Sequence, residues 1–218
     1  MVSFKSGRSR ELRLFSLSRW LPESTSLDVI AQTPAGQKVL LYHPAKTGGT
    51  SLRTALSLGG STNHGTPADT TTLSDWESGV SVTTVRHPWA RFISSFTFHT
   101  AESYTGKHKA LFNEFRGQPL GAMDYLRIAT RHRLLRPQVL YCFFPSAKKL
   151  RVNLVLKLEE SKGWPARLSS EGIFLDQCSE VPHLNRSAPT AASIFDDPLL
   201  KLQIRRLYWM DFVFLDYR

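Results

Sequence analysis

The chain has 218 residues, 41% hydrophobic, 11% aromatic and 21% charged, a composition that supports a domain with a real core and excludes a disordered or fibrous chain. A formal charge of +10 points to anionic partners: nucleotides, acidic glycans, nucleic acid or an anionic membrane surface. Two cysteines, Cys142 and Cys178, form neither a disulfide framework nor a zinc ligand set, and no apolar run reaches the roughly 20 residues of a bilayer span.

Residues 1–37 read as a basic N-terminal extension. Lys5, Arg8, Arg10, Arg13 and Arg19 face a single acid, Glu11, while Leu12, Leu14, Phe15, Leu17, Trp20 and Leu21 could form one face of a short helix. Two readings stay open: a terminus that packs on the domain, or an arm making peripheral contact with an anionic surface. The start lacks an apolar core followed by a small-residue cleavage site, so no secretory signal is expected.

"KVLLYH", Lys38 to His43, predicts a buried strand ended by Pro44. "TSLRTALSL" then fits a helix, with Leu52, Ala55 and Leu56 at helical spacing. Residues 59–72 are polar and turn-rich, which predicts a surface loop. "VSVTTVR", Val80 to Arg86, is β-branched and alternating, hence a second strand, and Pro88 suits the first turn of the helix "PWARFISSFTFH". One or two helices are expected over 107–133, a strand over 150–160, and one long helix in "DPLLKLQIRRLYWMDFVF". Strands alternating with helices predict an α/β domain with a parallel sheet.

The chemistry concentrates in "HPAKTGGTSL". Gly48 and Gly49 let the backbone at a helix start approach an anion, Thr50 and Ser51 add hydroxyls, and Lys46 upstream adds a point charge. In the common nucleotide loop the lysine follows the glycines, and an aspartate at a strand end holds magnesium. Neither feature is present, so an anion bound without a metal is expected. Farther on, Arg86 ends the second strand and Ser94 lies eight residues along, where an arginine fork and a hydroxyl can grip a second phosphate.

Together, "HPAKTGGTSL" and "TVRHPWARFISSF" resemble the 5′-phosphosulfate loop and the 3′-phosphate segment of sulfotransferases that use 3′-phosphoadenosine 5′-phosphosulfate (PAPS), commonly "HIPKTGGTS" and "FVRNPWDRLVSSY". The resemblance is to the group containing Golgi carbohydrate O-sulfotransferases and their bacterial relatives. It continues through "NHGTPAD", "RPQVLY", "PHLNRS" and "YWMDFVFLDY", covering Lys38 to the C-terminus. This chain has Pro44-Ala45 for the usual Ile-Pro, His87 for Asn and Ala90 for Asp.

The resemblance implies a single P-loop-like domain over 38–218, a central parallel sheet flanked by helices, and sulfuryl transfer from PAPS to an acceptor hydroxyl, leaving the 3′,5′-bisphosphate PAP without a metal. It implies that Lys46 stabilises the leaving phosphate. Backbone N–H groups of Gly48, Gly49, Thr50 and Ser51, with the side chains of Thr47, Thr50 and Ser51, would hold the 5′-phosphate. Arg86 and Ser94 would hold the 3′-phosphate. His64, in "NHGTPAD", is the implied base. His43 and His99 are fallbacks, the first read as fixing the loop and the second as a helix-terminal cation. The acceptor implied is a glycan or glycolipid, with no specific nucleic acid. Basic residues such as Arg127, Arg131, Arg133, Lys148, Lys149 and Arg151 either line a groove for it or form a solvated face. A soluble cytoplasmic enzyme of bacterial type is expected, with a Golgi-lumen catalytic domain as the alternative. Two other classes share parts of this pattern: a P-loop-type nucleotide kinase or phosphotransferase, and a non-catalytic polyanion-binding module.

Overall fold

The computed structural model describes residues 29–32, 36–56, 64–101, 104–106, 108–115, 120–144, 151–174 and 196–218, with backbone alone for 29–32 and 113–115. The sheet has four strands in the order β1-β2-β3-β4: β1 (Val29–Gln32), β2 (Lys38–Tyr42), β3 (Val80–Val85) and β4 (Leu154–Lys157). The last three are parallel, and β1 pairs antiparallel with β2. The stretch read as an extension therefore contributes four residues to the sheet edge.

Helices α1 (Gly49–Ala55), α2 (Pro67–Thr70) and α3 (Leu73–Ser78) connect β2 to β3, and α4 (Pro88–Thr100) follows β3. α5 (Ala122–Arg131) precedes β4, α6 (Trp164–Ser170) follows it, and α7 (Pro198–Leu207) and α8 (Trp209–Phe214) end the chain. Both faces of the parallel strands are covered, which is why β2 and β3 read as continuous apolar runs. Val39, Leu41, Val82 and Leu156 meet Leu52 of α1 and Trp164 and Leu168 of α6. Leu40, Tyr42 and Val85 meet Trp76, Leu140 and Leu215. A separate helical core joins Phe92 and Phe96 of α4, Tyr125 and Ala129 of α5, and Leu200 and Ile204 of α7.

Three expectations are corrected. The long last helix is two helices, because Tyr208 leaves helical geometry at φ −107°, ψ 24°. The strand expected over 150–160 covers only Leu154–Lys157 before the chain tightens into a 3-10 turn, Leu158–Gly163. From residue 64 on, the predicted surface loop is folded down: Thr66 and Thr70 are buried, and Pro67 starts a helical turn. Residues 1–28, 57–63, Lys148, Lys149, Cys178 and "PHLNRS" lie outside the described residues. Among the described residues, no helix is long and apolar enough to cross a membrane.

Candidate functional site

Parallel strands deliver their C-terminal ends to one edge, so the loop after β2 and the turn after β3 emerge side by side. The first is a tight crossing built from two left-handed residues, Lys46 (φ 69°) and Gly48 (φ 85°). At Lys46 that conformation costs about 1 kcal/mol or more, so the surroundings must hold it. At Gly48 an added Cβ would stand 2.7 Å from Leu158 Cδ1, so that side-chain tip would have to shift. At Gly49 it would stand 2.2 Å from Cγ of the buried His43, so α1 begins directly against that imidazole.

Thr47 is buried and its hydroxyl is committed to the loop. It donates to the Pro44 carbonyl at 2.7 Å and lies 2.7 Å from Thr84 Oγ1, whose own proton must fill that second contact. The resemblance implies that this hydroxyl holds a 5′-phosphate; in the structure its proton goes to the Pro44 carbonyl. Thr50 is exposed, while Ser51 is buried.

The second half docks onto the first. Arg91 of α4 is buried, and its Nε donates to the Ala45 carbonyl at 2.9 Å. Lys46 Nζ lies 4.0 Å from the centroid of Phe98. Arg91, Ser94 and Phe98 share one helix stripe by their spacing, so Ser94 sits between the two residues that touch the loop. Burial, and then the nearby Arg86 guanidinium, hold the Lys46 ammonium below the usual lysine range. Arg86 is half-buried, which disfavours its charge, and Glu159 and Tyr217 partly offset that. Two cations sharing one partly dry region repel each other, and an anion between them relieves both.

His64 reaches the same loop from farther along the β2–β3 connection, just before α2. It is exposed, its Nδ1 lies 2.9 Å from the His43 carbonyl, and the two rings meet edge to face at 4.8 Å. His43 is held neutral: burial, with lesser help from His64 and Arg53, lowers its pKa to about 3. Its Nε2 has no partner among the described residues. His99 is not the helix-terminal cation expected. It is buried against Tyr125, whose hydroxyl is 2.7 Å from Nδ1, and desolvation lowers its pKa to about 4. Glu159 is exposed and accepts from the His87 backbone N–H at 2.8 Å, so it orients that turn.

The sequence reading missed what organises these parts. In the sequence "RPQVLY" carries only part of the resemblance. In the structure the Arg136 carbonyl accepts from Arg91 Nη1 at 2.7 Å, and the Arg136 side chain reaches Asp69 beyond His64 at 3.4 Å. The Gln138 amide bonds the backbone of Arg86, and the Tyr141 hydroxyl donates to the His64 carbonyl at 2.9 Å. A glutamine and an arginine set against the apolar "VLY" were the available signal, since buried polar side chains require partners.

No family model, curated protein or solved structure matches this chain. Its chemistry is argued from the residues. Among the described residues there is no cluster of three or more metal-ligating side chains.

Proposed function

We propose that this chain is a PAPS-dependent O-sulfotransferase with a P-loop-like domain, acting on a hydroxyl of a carbohydrate. One observation carries the reading: the Lys46 loop and the Arg86–Ser94 segment are joined directly, by the 2.9 Å bond from Arg91 to Ala45. Two phosphate-type motifs that share one edge can serve the two ends of one nucleotide.

PAPS would supply an activated sulfuryl group. The backbone N–H groups of Gly48 to Ser51 would bind the 5′-phosphate, and Arg86 with Ser94 the 3′-phosphate. Lys46 would neutralise charge left on the phosphate oxygen as the S–O bond breaks. The acceptor hydroxyl forms the new O–S bond and loses its proton, which His64 Nε2 would take. An Nδ1–H donor leaves the neutral ring's lone pair on Nε2.

The test is binding, then transfer. Calorimetry should show tighter binding of PAP than of AMP, and labelled PAPS offered with glycans, lipids and phenols should label the glycans. Equal affinity for PAP and AMP with no transfer sinks the reading; steeply salt-dependent polyanion binding in its place favours the non-catalytic module.

A further inference from the structure

Gln138 is fully buried, yet its side chain leaves its own segment to pair with a strand end. Its Oε1 accepts from the Arg86 N–H at 2.7 Å, and its Nε2 donates to the Arg86 carbonyl at 2.7 Å. A primary amide here does what a neighbouring strand would do, one residue past the end of β3. The amide cannot flip, because its second Nε2 proton points to Asp211 Oδ2 at 3.3 Å and a carboxylate only accepts.

Asp211 is buried on α8 and holds the other side. Its Oδ2 accepts from the Gln138 N–H and its Oδ1 from the Val139 N–H, each at 2.9 Å. Burial raises its pKa, and those donors partly restore the charged form. Asp211 thus fixes Gln138 at backbone and side chain, and Gln138 fixes Arg86 at both backbone groups. An arginine fork selects a phosphate by geometry, and that geometry begins at its Cα.

We infer that Gln138, locked by Asp211, is a positioning residue that sets the selectivity of Arg86 for a phosphate monoester on the ribose 3′ position. The inference rests on the sulfotransferase reading for the identity of that phosphate. Two variants test it. Gln138→Met keeps the volume and removes both bonds. Gln138→Glu keeps the acceptor and restores a donor only when protonated.

The preference for PAP over AMP should fall at least roughly tenfold in Gln138→Met, as in Arg86→Ala, while AMP affinity stays near the native value. In Gln138→Glu the preference should recover towards native as pH is lowered, each value taken relative to the native protein at that pH. A native preference in Gln138→Met, or no acid recovery in Gln138→Glu, overturns the inference. So does failure of both variants to fold, since the side chain would then support the domain and not the selectivity.

If the native protein does not distinguish PAP from AMP and transfers no sulfate, the sulfotransferase reading falls by itself. Thermal protection by inorganic phosphate then decides the clamp. Protection lost equally in Arg86→Ala and Gln138→Met supports it; protection unchanged in Gln138→Met, or independent of Arg86 in the native protein, overturns it.

Discussion

His64 lies 2.9 Å through Nδ1 from the backbone carbonyl of His43, and that contact selects its tautomer. A carbonyl only accepts, so the proton of the neutral ring is on Nδ1. The His64 carbonyl is held in turn by the buried Tyr141 hydroxyl at 2.9 Å. The role of base proposed for His64 needs a defined lone pair in a defined place, and both are supplied by groups outside its own ring.

His64→Ala is therefore expected to lower turnover by about 100-fold or more while PAP affinity changes little. Tyr141→Phe should lower turnover less, again with PAP affinity near native. Steady-state kinetics beside calorimetry separates the effects. Near-normal turnover of His64→Ala with the true acceptor removes His64 from the mechanism.

Lys46→Ala and Arg86→Ala should both weaken PAP binding, in different ways. Loss of Lys46 should weaken PAP and AMP together and depress turnover as well. Loss of Arg86 should cost about tenfold or more for PAP and little for AMP. Titrating both nucleotides against each variant gives the answer; a PAP deficit shared equally by AMP in Arg86→Ala contradicts the assignment.

Transfer of labelled sulfate should persist in excess chelator. A phosphotransferase working through magnesium would stop.

Gly49→Ala should destabilise the fold by about 1–3 kcal/mol despite alanine's better helix propensity, because the new methyl meets the His43 ring. Gly163→Ala, with nothing within 4 Å of the added Cβ, is the control and should stay within about 0.5 kcal/mol. Thermal unfolding compares the two directly.

Acid should weaken the fold earlier than carboxylate titration alone predicts. His43 and His99 have folded pKa values of about 3 and about 4, below the ordinary 6.5. Between those limits the unfolded chain binds more protons, so stability is fully present above pH 6.5 and is lost as pH falls towards 4 and 3. The slope is at most about 1.4 kcal/mol per pH unit for each ring. Melting curves from pH 7 down to about pH 5 should show this, and His99→Asn should flatten the dependence by up to one proton's worth. An unchanged slope in that variant means His99 titrates normally.

How much was legible follows the range of each interaction. β2, the glycine turn and α1 were readable because an apolar run, Pro44 and two glycines lie within a dozen residues. The start of α4 was marked by Pro88. β1 was not, since four residues at a sheet edge owe their conformation to β2 and carry little pattern of their own. The break at Tyr208 has no glycine or proline beside it; it lies three residues before Asp211, whose carboxylate is committed to residues 138 and 139. The same distance hid Gln138 and Tyr141, whose partners lie 52 and 77 residues away along the chain. For the site, the sequence suggested anion-binding residues; their supports depend on tertiary contacts.

Arg91 holds the Ala45 carbonyl with Nε and the Arg136 carbonyl with Nη1. One guanidinium thus bolts the lysine turn to the segment that carries Gln138. Removing that one side chain would therefore unfasten three segments at once: the turn, α4 and the stretch that begins at residue 136.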